Sequence, residues 1–153
     1  MTSPSPANAY LDANIIIDLI EGFEPYRARL EQLATAIETE QIVIVTSELS
    51  LAEALVKPMK VQNAKSTSEY VFLLSGSSVM RMVPVGRDIL MRSAEIRAAH
   101  GGKLADAIHV ASAEIAGCKF FLTRDEGVRV PPSIIAADLD SVANNLSSGG
   151  PSA

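Results

Sequence analysis

Gln41-Ile-Val-Ile-Val45 is an unbroken β-branched run early in the chain. A strand that is covered on both faces has this composition, and such strands are typical of parallel sheets. The stretch that follows, 48–56, has helical character, and Ser47 is placed to cap its first turn. A buried strand that leads directly into a helix predicts an α/β fold.

The same alternation of strand and helix extends in both directions from this run. Pro58 is expected to end the helix after Ser47, and His100-Gly-Gly102 supplies a helix stop that tolerates left-handed backbone. Together the elements predict an α/β sandwich with a mostly parallel central sheet flanked by helices. The predicted strands are 9–12, 41–45, 79–85, 119–123 and a short one at 133–136, and the predicted helices are 13–20, 25–39, 48–56, 60–74, 88–99 and 104–116.

Length and composition favour one folded domain of ordinary globular type. The chain has 153 residues, of which 48% are hydrophobic and 20% are charged, and its formal net charge is −5. We expect a flexible leader at 1–8, one domain at 9–140 and a disordered tail at 141–153. The negative charge argues against binding nucleic acid through a basic coat alone, although nucleic acid stays open as a substrate.

Cysteine and histidine are too few for a disulfide framework or a structural zinc site. Cys118 is the single cysteine, and His100 and His109 are the only histidines. The first residues lack a basic signal region, and no uncharged apolar run reaches the roughly 18 residues of a membrane helix, so we expect a cytoplasmic protein with no membrane segment. The motifs of a serine nucleophile elbow, a Walker A loop and a dinucleotide-binding glycine loop are missing as well.

Four acidic residues stand out because each interrupts apolar sequence or closes a predicted strand: Asp12, Glu53, Asp106 and Asp125. Asp12 and Asp125 follow strands, and ligands of parallel α/β sheets bind beyond the carboxyl ends of the strands. Glu53 and Asp106 lie close to the buried stripe of their helices. Because an unpaired buried carboxylate costs several kcal/mol, each acid needs a basic side chain, a helix N-terminus or a metal ion as its partner.

If the four carboxylates converge, a cation must offset their mutual repulsion. Hard oxygen ligands with few histidines favour Mg²⁺ or Mn²⁺, and such a pocket suits a phosphodiester substrate that is attacked in line by water. Simpler explanations exist for three of the acids. Asp106 lies in the first turn of its helix and gains from the helix dipole, Asp12 suits a turn cap, and Asp125 lies in an ordinary polar turn.

The residues around these acids receive simpler assignments. His109 follows Asp106 on the same helical side, and we expect a helix histidine with satisfied hydrogen bonds. Asp18 is expected to be a solvated acid, and Cys118 to be buried and inert. Asn14 caps the first helix or supports the acids. Five basic residues predict a solvated face, from which some of them could steer RNA toward an acidic pocket: Arg81, Arg87, Arg92, Arg97 and Lys103.

Four stretches of the chain carry a resemblance to a known family. They are Tyr10-Leu-Asp12-Ala-Asn14-Ile-Ile-Ile-Asp18-Leu, Ser47-Glu-Leu-Ser-Leu-Ala-Glu53-Ala-Leu-Val-Lys-Pro58, Lys103-Leu-Ala-Asp106-Ala-Ile-His109-Val-Ala and Phe121-Leu-Thr-Arg-Asp125. In this order, the stretches resemble the acidic blocks of PIN-domain ribonucleases, most closely the VapC-like toxins of bacterial toxin–antitoxin pairs. The resemblance spans residues 9–130, and it lies in the order of the blocks rather than in any one of them.

The resemblance implies a Rossmann-like PIN fold and an endoribonuclease that depends on Mg²⁺ or Mn²⁺ and leaves a 3′-hydroxyl and a 5′-phosphate. The partners it implies are RNA as the substrate, a small antitoxin whose C-terminal segment fills the site, and a second copy of the chain in a homodimer. The catalytic and metal-binding residues it implies are Asp12, Glu53, Asp106 and Asp125, with Asn14 and Thr123 as supporting polar groups or phosphate contacts.

Several alternatives remain at this point. Glu48 is a second acid in the second block and is a candidate ligand in place of Glu53, and Glu126-Gly-Val128 stands where the family often has an aromatic residue. A non-catalytic binding module would use the same pocket to hold one structural ion or an arginine of a partner. A PIN nuclease of RNA maturation would cut RNA without having an antitoxin.

Overall fold

The computed structural model of the chain describes residues 6–22, 27–39, 41–77 and 80–138. The expectations for the first five residues of the leader, for Pro25 at the start of a helix, for Val79 in a strand and for the tail at 141–153 lie outside these ranges.

The expected alternation of strands and helices is confirmed within the described residues. The strands are β1 (Ala7–Leu11), β2 (Ile42–Ser47), β3 (Met80–Val83), β4 (Phe120–Leu122) and β5 (Ile135–Ala137). The helices are α1 (Ala13–Glu21), α2 (Arg27–Glu38), α3 (Glu48–Ala54), α4 (Val56–Lys60), α5 (Ala64–Leu73), α6 (Arg87–His100) and α7 (Leu104–Ile115).

The strands form one sheet in the order β3-β2-β1-β4-β5, and each neighbouring pair is parallel. The predicted α/β class with a parallel sheet is therefore confirmed. From β1 the chain adds strands first on one side and later on the other, so the order reverses between β1 and β4. A crevice opens at such a reversal, beyond the carboxyl ends of the two strands, because the connecting helices leave toward opposite faces.

Helices cover both faces of the sheet, and side chains alternate between two cores because successive strand residues point to opposite faces. Leu11, Ile44 and Leu122 belong to the core under α1, α2 and α5. Tyr10 and Phe121 belong to the core under α6 and α7. This two-sided burial explains why the strands are apolar at consecutive positions.

The first strand begins earlier than the expected leader allows. β1 starts at Ala7, and Ala7 and Asn8 pair with Ile42 and Val43 of β2. The cross-strand hydrogen bonds extend the strand to residues that are unremarkable in sequence, because pairing rather than local propensity decides where a strand ends.

Ser47 and Pro58 were both predicted to mark helix boundaries, and one of these predictions is correct. Ser47 caps α3 as predicted, since its hydroxyl oxygen accepts the Leu49 N–H at 3.0 Å. Pro58, however, does not end this helix, because α3 already ends at Ala54. Pro58 is the third residue of the short α4. There its missing N–H costs nothing, because the first N–H groups of a helix have no acceptor within the helix.

The predicted glycine stop after α6 is confirmed. Gly101 and Gly102 have φ values of 73° and 92°, a region that residues with a Cβ rarely adopt. α6 has 14 residues, and none of the helices in the described ranges is long and apolar enough to cross a membrane.

Candidate functional site

Asp12 follows β1 directly and caps the first turn of α1. Its Oδ1 accepts the Ala13 N–H at 2.8 Å, and its Oδ2 accepts the Thr123 hydroxyl at 2.7 Å. Asn14 Nδ2 makes a longer contact with Oδ2, at 3.4 Å. The buried carboxylate is therefore held in one orientation by donors from its own helix and from the end of β4.

Thr123 joins Asp12 to the loop that follows β4. Its hydroxyl oxygen, which donates to Asp12, also accepts the Asp125 backbone N–H at 3.0 Å. Asp125 in turn accepts the Gly127 N–H through Oδ1 at 2.9 Å, and its side chain stays exposed. Because β1 and β4 are neighbours at the reversal of strand order, the residues that follow them meet in the crevice.

Asp106 lies in the first turn of α7 and is partly buried. Burial raises the pKa of this carboxyl, and the negative charges of Asp125 and Asp12 raise it further, while Lys103 and His109 oppose the shift. These charge interactions show that the carboxylates of Asp12, Asp106 and Asp125 share one region. Three separate segments of the chain supply them.

Glu53 reaches the same region through a histidine. His109 Nε2 lies 2.5 Å from Glu53 Oε1 and 3.6 Å from Asp12 Oδ1. The Glu53 side chain is 38% exposed, so this acid lies at the rim and not in the buried stripe that its apolar neighbours suggested. Glu48, the other acid of α3, is exposed in the first turn of that helix.

Asn14 connects the first helix to the loop after β4. Its Oδ1 accepts the Arg124 backbone N–H at 3.3 Å while its Nδ2 faces Asp12. The cap of α1 is Asp12 itself, so the suggestion that Asn14 caps this helix is wrong. Asn14 instead supports the positions of both Asp12 and the loop that carries Asp125.

Asp18 was expected to be solvated, and this expectation is wrong. The residue is 2% exposed, and Arg124 Nε lies 2.9 Å from Oδ2 without forming a hydrogen bond of good geometry. Burial raises the pKa of Asp18, and Arg124 opposes this shift. Asp18 comes one helical turn after the buried Ile15, so the helical spacing of α1 already placed it on the covered side.

His109 is the functional candidate to which sequence reasoning gave too little weight. Its other ring nitrogen, Nδ1, lies 2.6 Å from the hydroxyl of the fully buried Tyr10, so its hydrogen bonds are satisfied as expected. What the sequence did not show is that one of these bonds leads to Glu53. The spacing of three residues from Asp106 was the only available indication.

The donor set suits a hard divalent cation, because carboxylate oxygens are the ligands that Mg²⁺ and Mn²⁺ prefer. Cys118, the only thiol in the chain, is buried in the core under α6 and α7. In the described ranges, no three acidic, histidine or cysteine side chains lie close enough to form a complete metal cage. Mg²⁺ does not require one, since it keeps several waters and is held by one or two carboxylates together with substrate phosphates. The residues present therefore fit such an ion.

A cleft leads away from Asp106 between α6, α7 and residues 127–132. Basic side chains line it beside an apolar wall: His100, Lys103 and Arg129 with Ile96, Val110 and Val128. Of the five basic residues expected on a solvated face, Arg81, Arg87, Arg97 and Lys103 are exposed. Arg92 is instead held by Glu114 at 2.8 Å and Glu95 at 2.9 Å.

Solved structures with the same fold include components of toxin–antitoxin systems. A toxin–antitoxin complex from Klebsiella pneumoniae matches with a TM-score of 0.63 and 26% identity over 83% of this chain and 95% of that one. VapC20 of Mycobacterium tuberculosis, a toxin that cleaves the sarcin–ricin loop, matches with a TM-score of 0.63 and 15% identity over 78% and 92% of the two chains. FitAcB from Neisseria gonorrhoeae has the same TM-score and 20% identity over 86% and 97%.

No curated protein sequence matches the chain significantly. The family model of the PIN domain matches residues 9–131, which include all four predicted acids and nearly the whole described sheet. The chain therefore belongs to the PIN-domain family.

Proposed function

We propose that this protein is an endoribonuclease that depends on Mg²⁺ or Mn²⁺ and acts as the toxin of a toxin–antitoxin pair. The observation that carries the proposal is the gathering of Asp12, Asp106 and Asp125 at the reversal of strand order, where their charges raise the pKa of Asp106. Carboxylates that repel one another in a crevice are stabilised when a divalent cation binds between them. A PIN fold supports nuclease chemistry at this position.

Asp12, Asp106 and Asp125 are the candidate ligands, of which one or two would hold the ion directly and the others through its bound waters, and Glu53 is a further candidate at the rim. The ion would polarise the phosphodiester and lower the pKa of an attacking water, which leaves a 3′-hydroxyl and a 5′-phosphate. Thr123 and the first turn of α1 keep Asp12 in one orientation, so little reorganisation is needed when substrate arrives. Glu53 is favoured over Glu48, because Glu53 contacts His109 Nε2, and this nitrogen lies 3.6 Å from Asp12 Oδ1.

RNA is a polyanion, so a chain with a net charge of −5 and an acidic site needs positive charge near that site to bind it. The cleft next to Asp106 offers the compensating charge through Lys103 and Arg129. Local basic groups steer a charged substrate even when the total charge is unfavourable. We therefore assign the RNA backbone on one side of the scissile phosphate to this cleft.

RNA as the substrate and an antitoxin as the partner are proposed by analogy with the structural neighbours. One neighbour is described as a toxin that cleaves the sarcin–ricin loop, and another was solved as a toxin–antitoxin complex. A homodimer in the cytoplasm is part of the same proposal, and size-exclusion chromatography with light scattering tests the oligomeric state.

Cleavage of labelled RNA tests the enzymatic proposal. We expect purified protein to cut total RNA with Mn²⁺ or Mg²⁺, to stop in a chelator, and to spare single-stranded DNA of the same sequence. Asp12→Asn should abolish cleavage, whereas the matched control Glu48→Gln should retain it. A wild type that leaves RNA intact with both metals, or an active Asp12→Asn, contradicts the proposal and favours a non-catalytic binding module.

Expression in a host cell tests the role as a toxin. We expect growth arrest on induction, relief when the small open reading frame next to the gene is co-expressed, and no arrest with Asp12→Asn. If the protein cuts RNA without arresting growth, and its gene has no small open reading frame beside it, the result favours a nuclease of RNA maturation.

A further inference from the structure

His109 is buried among the acids of the site and is held at both ring nitrogens. The residue is 1% exposed, Nδ1 lies 2.6 Å from the Tyr10 hydroxyl, and Nε2 lies 2.5 Å from Glu53 Oε1. The ring cannot rotate without breaking both contacts. A histidine fixed in this way determines where its partners lie.

The direction of the bond to Glu53 follows from its chemistry. A carboxylate only accepts hydrogen bonds, so the hydrogen lies on Nε2, and His109 donates the hydrogen bond to Glu53. Asp12 Oδ1 is 3.6 Å from the same nitrogen, which is too long for a hydrogen bond, and Asp12 has donors of its own. His109 therefore serves Glu53 and not Asp12.

Glu53 depends on this contact more than Asp12 depends on any one of its several donors. Its long side chain lies near the end of α3 at the rim of the site. Within the described part of the chain, His109 is its one hydrogen-bond partner. A glutamate without a fixed donor samples many rotamers, and confining it to one costs conformational entropy.

Tyr10 ties the imidazole to the core. Its ring stacks on Phe121 with 5.2 Å between centroids and 9° between planes, and it meets the His109 ring edge-on. The Tyr10 hydroxyl lies 2.6 Å from His109 Nδ1, so the imidazole is held by a side chain that is itself packed in the core. Tyr10 lies on β1, and Asp12 directly follows that strand. The same segment therefore positions both Asp12 and the residue that anchors His109.

We infer that Tyr10 and His109 are positioning residues that hold the Glu53 carboxylate beside Asp12, where the two acids can share a divalent cation. This inference rests on the proposed function for the identity of the ligand. The ordering of Glu53 by His109 is independent of it and is measurable without a metal.

Two matched substitutions separate positioning from simple packing. His109→Gln places an amide nitrogen near the position of Nε2 and can still donate to Glu53. His109→Asn places its amide near Nδ1 and cannot reach Glu53. Both variants are polar and smaller than histidine, so a purely structural role would make them similarly defective.

The first readout uses the metal-free protein. Side-chain ¹³C relaxation of Glu53 should show an ordered carboxylate in wild type and His109→Gln and a mobile one in His109→Asn. The second readout is Mn²⁺ affinity from electron paramagnetic resonance. We expect His109→Asn to weaken Mn²⁺ binding by about 10- to 100-fold, as typical for loss of a group that orients a metal ligand, and His109→Gln to stay within about 3-fold of wild type. In cleavage assays, His109→Asn should need more Mn²⁺ yet keep its kcat at saturating metal.

A second set of variants keeps the test decisive if His109→Asn does not fold. Tyr10→Phe removes the hydroxyl group and keeps the ring stacked on Phe121. It should weaken Mn²⁺ binding less than His109→Asn does. In a Glu53→Ala background, Tyr10→Phe should weaken Mn²⁺ binding no further, because the residue that it positions is gone.

Equal order of Glu53 in both His109 variants overturns the inference, and so does an undiminished effect of Tyr10→Phe in Glu53→Ala. A wild type that neither binds Mn²⁺ nor cuts RNA contradicts the proposed function instead. In that case the relaxation measurement still decides whether His109 orders Glu53.

Discussion

Thr123 donates its hydroxyl hydrogen to Asp12 Oδ2 across 2.7 Å. The same hydroxyl oxygen accepts the backbone N–H of Asp125 at 3.0 Å. One short side chain at the end of β4 therefore sets the position of two acids that come from neighbouring strands. The arrangement depends on the hydroxyl and not on the size of the residue.

Thr123→Val should impair catalysis because it keeps the shape of the side chain and removes the hydroxyl. The buried Asp12 carboxylate then lacks a donor, which costs about 1–3 kcal/mol of folding stability. We expect kcat/KM for RNA cleavage to fall by about 10- to 100-fold, as for other groups that orient metal ligands. Thr123→Ser retains the donor and is the matched control. Cleavage assays and urea unfolding measure both effects, and full activity in Thr123→Val would rule out the orienting role.

Asp106→Asn should make the metal-free protein more stable while it abolishes cleavage. Burial, Asp125 and Asp12 raise the pKa of Asp106, so its charged form is unfavourable in the folded state. Because the folded state binds this proton more tightly than the unfolded state, the wild type loses stability as the pH rises from the unfolded value through the folded pKa. We expect a gain of about 0.5–1 kcal/mol at pH 7, kept small because the side chain is only partly buried.

The gain from Asp106→Asn should shrink as the pH falls through the raised folded pKa of Asp106, and it should vanish below the unfolded value of about 3.9, where the carboxyl is protonated in both states. Urea unfolding in a chelator across this pH range measures it. Asp88→Asn is the matched control, since Asp88 also lies in the first turn of a helix but is exposed. That variant should be slightly destabilised, because it loses a favourable interaction with the helix dipole. A destabilised Asp106→Asn would show that the dipole outweighs the repulsion at this site.

Mn²⁺ should stabilise the folded protein. A ligand that binds only the folded state adds about 2.7 kcal/mol when its concentration is 100 times its dissociation constant. Thermal unfolding with increasing Mn²⁺ should therefore show a rising midpoint for wild type and a flat one for Asp12→Asn. Glu126→Gln, which removes an exposed acid next to Asp125, should behave as wild type does. A midpoint that rises equally in Asp12→Asn would place the ion elsewhere.

Arg124→Gln should destabilise the protein at neutral pH, because it leaves the Asp18 carboxylate buried without its cation. Removing one partner of a buried pair costs about 3–5 kcal/mol, and we expect about 1–2 kcal/mol here because the Arg124 side chain is 45% exposed. The cost should diminish on acidification, since Asp18, whose pKa is already raised by burial, then becomes neutral.

Adding Asp18→Asn to Arg124→Gln should recover part of the lost stability, because no unpaired charge remains in the core. A double-mutant cycle measured by urea unfolding gives the coupling between the two residues. A coupling free energy near zero would mean that Arg124 and Asp18 do not stabilise each other although they lie close together.

Several strands and helix ends could be predicted from short stretches of the sequence. The β-branched run at 42–45 predicted a strand buried on both faces, Ser47 predicted the start of α3, and Gly101 predicted the end of α6. Each of these depends on neighbours within a few residues. The start of β1 at Ala7 did not follow, because it depends on pairing with a strand that lies far along the chain.

The amino-acid sequence by itself determined the class of the sheet, because strands buried on both faces alternate with helices along the chain. It also predicted that three of the acids lie near the edge of the sheet where the parallel strands end. Only the tertiary structure decided what surrounds those acids. Tyr10 and Glu53 contact His109 across sequence separations of 99 and 56 residues, and Arg124, in the loop after β4, contacts Asp18 of α1. Hydrogen bonds and ion pairs between distant segments follow from how the helices pack on the sheet, and no local pattern encodes that packing.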